Sequence, residues 1–269
     1  MRQYLKQSLG AWGLLETVRI WRRKMKSILP AQIAKRRRAL IRQKEWVDFY
    51  AQFIQDGDLC FDVGANVGDR TEVFRKLGAV VVAVEPHHWC VQRLTRRFKN
   101  SDRVHIVAKG LGNEIGQQDF MISSDLQTSS MSLEWIASVK NRLSNYSWDV
   151  VQQVEITVLD ALIETYGQPA FCKIDVEGFE LQVLQGLSRP IKSVSFEYTP
   201  ERLQPAMDCL HYLASLGKYA FNYSSSDTKK LALSNWVFLE EMQEILEQLR
   251  YRTDSGDVYA RLLDADQVN

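Results

Sequence analysis

Phe61-Asp62-Val63-Gly64-Ala65-Asn66-Val67-Gly68-Asp69 runs from a short apolar strand, through a glycine-containing turn, into the start of a helix. Gly64 lets the backbone turn sharply and lets a ligand approach the main chain. Gly68 would let the helix pack close to the sheet, and the helix start offers free N–H groups. The next strand ends in Val84-Glu85-Pro86, so Glu85 follows Gly64 by 21 residues. An acid at that spacing, on the tip of the second strand, is placed to bind two ribose hydroxyls. The two features together point to a nucleoside-containing ligand. A dinucleotide fingerprint would carry a second glycine where Asn66 stands, and Asp62 at the turn disfavours a phosphate. Charge therefore favours S-adenosylmethionine, which has an ammonium, a sulfonium and no phosphate, over NAD.

The second informative block is Phe171-Cys172-Lys173-Ile174-Asp175-Val176-Glu177-Gly178-Phe179-Glu180. Here an apolar strand, read as Phe171–Val176, ends in two carboxylates, and a third acid opens a helix. Ligands of open α/β sheets bind beyond the C-terminal strand ends, where Asp175 and Glu177 fall. Alternation puts Lys173 and Asp175 on one side of the strand, and a buried Lys173 would need a partner. Glu180, in a first helical turn, is read as a dipole partner rather than a catalytic group. Glu197 ends a later strand, Val194–Tyr198.

Around these blocks, strand and helix patterns alternate from residue 45 onward. Helices are expected at Glu45–Ile54, Asp69–Leu77, His88–Phe98, Leu133–Leu143, Glu180–Gly186 and Leu203–Leu216. Further strands are expected at Val80–Val84, Val104–Val107, Gln118–Ile122, Val154–Val158, Tyr219–Tyr223 and Trp236–Glu240. Such alternation argues for a mostly parallel α/β sheet covered on both faces. The serine-rich stretch Ser123, Ser124, Thr128, Ser129, Ser130 and Ser132 reads either as a cover over the site or as a surface loop.

The blocks FDVGANVGD, VVAVEP, LDAL, KIDVEGFELQVLQGL and SVSFEY resemble the FkbM-type family of S-adenosylmethionine-dependent methyltransferases, across about residues 55–240. The resemblance implies a class I methyltransferase, Rossmann-like α/β fold with a seven-stranded, mainly parallel sheet whose last strand is antiparallel. It implies O-methylation of a hydroxyl on a saccharide, glycolipid or natural product. On this chain it implies that Asp62, Gly64, Ala65, Asn66, Gly68 and Glu85 bind the cofactor, and that Asp175 and Glu177 face the transfer. It makes Asp160 a supporting acid. The run His87-His88-Trp89 after Glu85-Pro86 departs from the family's small polar residues, and residues 1–44 lie outside the resemblance.

Methyl transfer is an in-line displacement whose sulfonium leaving group is already activated, so positioning supplies much of the rate. A carboxylate against the sulfur would stabilise the ground state more than the transition state. The acids are better used on the ribose, the ammonium and the acceptor hydroxyl. Asp175 or Glu177 is expected to orient that hydroxyl and act as base, with His87 and His88 read as surface residues. No metal is assigned; Mg²⁺ or Ca²⁺ on Asp175, Glu177, Glu180 and Glu197 is the reading not expected, because no EF-hand spacing is present.

Of 34 Lys and Arg, 13 lie in residues 1–44 beside a single acid, Glu16. That segment carries +12 and the remainder −11. Leu14, Val18, Trp21, Met25 and Ile28 recur at helical spacing. The chain is thus divided into a basic helical arm, 1–44, and a methyltransferase domain, 45–269. The arm would pack on the body or a second subunit, or meet an anionic membrane surface; nucleic acid is not expected. No stretch of about 18 apolar residues and no signal-peptide pattern is present, so a cytoplasmic protein is expected, with a peripheral place at the inner membrane face as the alternative if the arm meets lipid. The four cysteines form no CxxC pair and read as buried free thiols. With 45% hydrophobic and 25% charged residues, collagen-like and disordered classes are excluded. The function classes carried forward are the O-methyltransferase, an NAD-dependent oxidoreductase, and a non-catalytic nucleoside-binding module.

Overall fold

The computed structural model describes residues 37, 39–225, 228–252 and 254–263. The chain divides into two compact units, Met1–Trp46 and Val47–Asn269. The amphipathic pattern over Leu14–Ile28 lies outside the described residues; residues 39–46 are helical. No helix among the described residues is long and apolar enough to cross a membrane.

The second unit begins with a helical turn, α1 (47–50), followed by a turn at 51–53, so the helix expected to reach Ile54 stops early. Then come β1 (Leu59–Val63), α2 (Asp69–Lys76), β2 (Val80–Val84), α3 (His88–Phe98), β3 (Val104–Val107), β4 (Gly110–Leu111) and β5 (Gly116–Ile122). They are followed by α4 (Leu133–Val139), β6 (Val150–Thr157), α5 (Leu159–Tyr166), β7 (Phe171–Ile174), α6 (Glu180–Gln185) and β8 (Ser193–Tyr198). The chain closes with α7 (Gln204–Leu216), β9 (Tyr219–Ser225), α8 (Leu239–Leu249) and β10 (Gly256–Leu262).

Seven strands form one sheet in the order β3-β2-β1-β7-β8-β10-β9. The pairs from β3 to β8 are parallel, and β10 is antiparallel to both of its neighbours. This is the class I methyltransferase order, with helices on both faces. On one face Phe61, Val63, Val82, Val84, Ile174 and Phe196 meet apolar residues of α5, α6, α7 and α8. On the other, Phe171 and Tyr259 join a ring cluster with Phe49, Tyr50, Phe53 and Phe74. Edge-to-face and stacked ring pairs each add to the area they bury.

That aromatic face also carries the charges, because alternation along each strand is shared through the register. Asp62 lies beside Lys173, Lys173 beside Ser195, and Ser195 beside Tyr259. One step toward the C-terminal ends of the parallel strands, Glu197 lies beside Asp257.

Several expectations are corrected. Gln118–Ile122 and Val154–Val158 belong to a separate three-stranded sheet, β4-β6-β5, and their strands start earlier than expected. Trp236–Glu240 is not a strand. Only Val237 bridges to Phe221, and α8 starts at Leu239, because Leu239, Met242, Leu246 and Leu249 share one helical face and Glu240 and Glu241 favour its N-terminus. The last strand is instead β10, whose apolar core Val258-Tyr259-Ala260 is flanked by Asp257 and Arg261. α5 was not expected, and β7 ends at Ile174, which leaves Asp175 to Phe179 as a loop. The four cysteines are free and buried.

Candidate active site

The turn after β1 and the loop after β7 are built against each other. Gly64 has φ +81°, and a Cβ there would lie 1.8 Å from the main-chain oxygen of Asp175. Gly64 and Ala65 donate their N–H groups to the Val84 carbonyl, each at 3.0 Å, so the turn is tied to β2 as well. Asn66 adopts φ +49°, in the left-handed region that asparagine tolerates better than most residues. Its N–H donates to Glu85 Oε2 at 2.8 Å, while the His87 N–H donates to Glu85 Oε1 at 2.8 Å. Gly68 packs close, but against Leu94 and Phe98 of α3 rather than against the sheet.

Glu85 is buried, and that burial pushes its carboxyl up to about 7, against the two N–H groups that favour the ionised form. Folding therefore favours the protonated acid. The contribution is fully present below about 4.5, the unfolded value, and is lost as pH rises through about 7. In the ligand-free protein, wild type should lose stability relative to Glu85→Gln between pH 4.5 and 8. The full span is about 3 kcal/mol, and urea unfolding at several pH values measures it. A pH-independent difference would refute this.

Asp62 is buried on β1, and burial raises its pKa. Its Oδ2 accepts from Thr71 Oγ1 of α2 at 2.5 Å, so the carboxylate is turned into the sheet–helix interface beneath the turn. His87 is not a surface residue. It is buried and caps α3, with Nδ1 accepting from the Trp89 N–H at 3.1 Å, and burial lowers its pKa. His88 faces solvent and pairs with Gln92 at 2.8 Å. Asp160 lies elsewhere, holding the Ser188 N–H with both oxygens at 3.0 and 3.1 Å.

Beyond β7, the Lys173 Nζ reaches Asp175 Oδ2 at 2.5 Å, the partner that burial of this lysine requires. Burial alone would raise Asp175; the ammonium holds it below the ordinary range instead. Glu177 stands at φ +55°, a backbone region costly for this residue. Glu180 stands in the first turn of α6, as a dipole partner does, and also holds the preceding loop. It is buried, and its Oε1 accepts from the N–H groups of Val176 and Gly178 at 3.2 and 3.1 Å, which fixes the loop.

The loop geometry gathers Asp175 and Glu177 with Glu197 from β8: one carboxylate oxygen of each lies within 4.8 Å of the others. No other group of three or more such side chains with this spacing occurs among the described residues. Burial, then the neighbouring Asp175, pushes Glu177 well above the ordinary range; burial, then Glu177, does the same to Glu197. Oxygen ligands at this spacing could also hold a hard divalent cation. Strand alternation gave the Lys173–Asp175 pair, but the role of Glu197 depends on the β7–β8 pairing, which no local pattern reveals.

The serine-rich stretch joins both halves of the site. Ser130 Oγ donates to the Glu177 carbonyl at 2.6 Å, and Asn66 Nδ2 reaches the Leu126 carbonyl at 3.5 Å. Trp135 of α4 lies over Gly178, where a Cβ would come within 2.3 Å of it. The Trp135 Nε1–H donates to Thr199 Oγ1 at 3.0 Å. A cleft opens beside it, lined by Trp135, Glu197, Thr199 and Arg202.

A family model described as "Methyltransferase FkbM domain" matches residues 62–252. A hexuronic acid methyltransferase, AglP, of Haloferax volcanii is 30% identical over 144 residues, 53% of this chain and 55% of that protein. The match thus spans about half the length of that relative. Among solved structures, a precorrin-6y C5,15-methyltransferase from Geobacter metallireducens is similar with a TM-score of 0.44 and 9% identity, over 84% of this chain and 87% of that one. An O-methyltransferase from Bacillus cereus in complex with SAH is similar with a TM-score of 0.41 and 13% identity, over 84% and 78%.

Proposed function

The chain belongs to the FkbM methyltransferase family, and from that premise we propose that it is an S-adenosylmethionine-dependent O-methyltransferase acting on a saccharide hydroxyl. Family membership sets the oxidoreductase reading aside. The observation that carries the proposal is the convergence of the Gly64–Gly68 turn, Glu85 and the Asp175–Glu177 loop at neighbouring strand ends, joined through Gly64 and Asn66. The sugar acceptor is supported by the name of the hexuronic acid methyltransferase to which half of the chain is similar.

The residues present fit this cofactor. Each Glu85 oxygen accepts one main-chain N–H and keeps a lone pair, so the buried carboxylate can still receive two ribose hydroxyls. The Gly64–Gly68 turn is held by its own N–H bonds to Val84, Glu85 and Ala65, which fix the main chain beside which the cofactor would lie. Asp62 contributes negative charge beneath the turn, facing Lys173, and steadies α2 through Thr71. S-adenosylmethionine supplies, when bound, an electrophilic methyl group on a sulfonium. Asp175 and Glu177 then face the acceptor. Asp175, held ionised by Lys173, orients a hydroxyl by accepting its hydrogen bond. Glu177 is fixed toward the same point by its left-handed backbone and by Ser130 on its carbonyl.

The deciding experiment is calorimetric titration of S-adenosylmethionine into wild type and Glu85→Ala, followed by methyl transfer to methyl glycosides. Micromolar binding, weakened at least tenfold in Glu85→Ala, is expected. A folded wild type that binds no S-adenosylmethionine would refute the reading; binding without methyl transfer to any hydroxyl would favour the nucleoside-binding module. The basic segment 1–44 is proposed to meet an anionic membrane surface, which flotation of full-length and truncated chains with anionic liposomes tests.

A further inference from the structure

Three carboxylates face one point, and they are not equivalent. Asp175 is committed to Lys173. Glu177 lies on the loop, with its φ in the left-handed region and its carbonyl held by Ser130. Glu197 sits on the rigid end of β8, and its Oε2 is buried without a hydrogen-bond partner. A buried carboxylate oxygen without a donor is costly, and in a native fold it calls for an explanation. Glu197 lines the cleft walled by Trp135, Thr199 and Arg202, and its carboxylate lies within 4.8 Å of those of Asp175 and Glu177.

We propose that Glu197 is the general base of the transfer, its Oε2 receiving the hydrogen bond and then the proton of the acceptor hydroxyl. The inference rests on the methyl-transfer reading above. In the step, the acceptor oxygen keeps the O–H electron pair and forms the bond to the methyl carbon. The pair of the broken carbon–sulfur bond stays on sulfur, and the proton goes to Glu197 and from there to water. Asp175 suits this role less well, because a carboxylate stabilised by an ammonium is a weak base. The groups that bear on Glu197 are Asp175, Glu177, Glu180 and Asp257, which raise it, with Lys173 and Arg142 acting on the same cluster. Its ionised fraction therefore grows above the ordinary carboxylate range, and the rate should rise with pH over that interval.

The test compares wild type, Glu197→Gln and Glu197→Asp with methyl β-D-glucuronide and methyl β-D-glucoside as acceptors. Glu197→Gln should lower kcat/KM by about 10²–10⁴-fold and remove the rising limb of its pH profile. The dissociation constant for S-adenosylmethionine should stay within about twofold of wild type. Glu197→Asp should keep the limb at a reduced rate. In ligand-free protein labelled with ¹³C at glutamate carboxyls, one signal titrating well above the ordinary range should vanish in Glu197→Gln. That arm holds even if neither glycoside is methylated, and absence of such a signal in wild type overturns the inference. A wild-type pH profile in Glu197→Gln also overturns it. So does MgCl₂ binding to wild type that Glu197→Gln abolishes, joined to loss of turnover in EDTA, which would make the cluster a metal site. A wild type that binds no S-adenosylmethionine fails the underlying reading instead, a separate result.

Discussion

Gly64→Ala is expected to cost more than about 3 kcal/mol of folding stability and to abolish cofactor binding. The added Cβ would fall 1.8 Å from the Asp175 carbonyl oxygen, which is main chain and cannot rotate away. Relief requires β1 and β7 to separate at their C-terminal ends. That would strain the bond from the Asp175 N–H to the Val63 carbonyl, and those from Gly64 and Ala65 to Val84, all 3.0 Å. The positive φ adds about 1–2 kcal/mol of its own. Gly57→Ala is the control: its φ is +87°, yet nothing lies within 4 Å of its Cβ, so only the backbone cost should appear. Chemical unfolding of both variants, with titration of S-adenosylmethionine into each, measures the two effects. Equal losses in the two variants would mean that the β1–β7 contact is softer than its geometry implies.

The same contact explains which parts of the site were legible in the sequence. A glycine after the first strand, and an acid after the second, are local patterns with local causes, and both stand where the spacing puts them. The Lys173–Asp175 pair is likewise a strand-alternation result. What one sequence cannot give is adjacency between strands distant in the chain. That Gly64 yields to Asp175 and that Glu197 reaches Glu177 follow from the order β2-β1-β7-β8, while the ties of Ser130 and Leu126 to the site depend on where the separate β4-β6-β5 sheet places the segment after β5. The mistaken strand at Trp236–Glu240 has another cause. A short apolar run has no period of its own, and the helical spacing that decides it begins only at Leu239. Glu180 stands in the first turn of α6 as its pattern implies, but a first-turn acid satisfies the dipole equally well whether or not it turns back to cap the preceding loop, so the capping is not legible.

Lys173→Met should cost about 3 kcal/mol near neutral pH, the lower end of what breaking a buried ion pair costs. Lys173 is buried on the sheet, but the Asp175 side chain is 39% exposed, so water screens part of the charge left behind. Asp62, across the register on β1, loses the same positive neighbour. Because the ammonium depresses Asp175, that carboxylate's contribution is present above its unfolded value, near 3.8, and is lost as pH falls through the lower folded value. The gap between wild type and variant should therefore be widest near neutral pH and close in acid. Lys173→Met combined with Asp175→Asn should recover part of the loss, and the coupling between the two changes separates charge from packing. The variant should also move the rate profile. With its ammonium gone, Asp175 keeps only the weaker influence of Arg70, so the cluster gives up its protons less readily and the rising limb shifts to higher pH. A stable Lys173→Met with an unshifted limb would mean that Lys173 fills space in the sheet without setting the charge of the site.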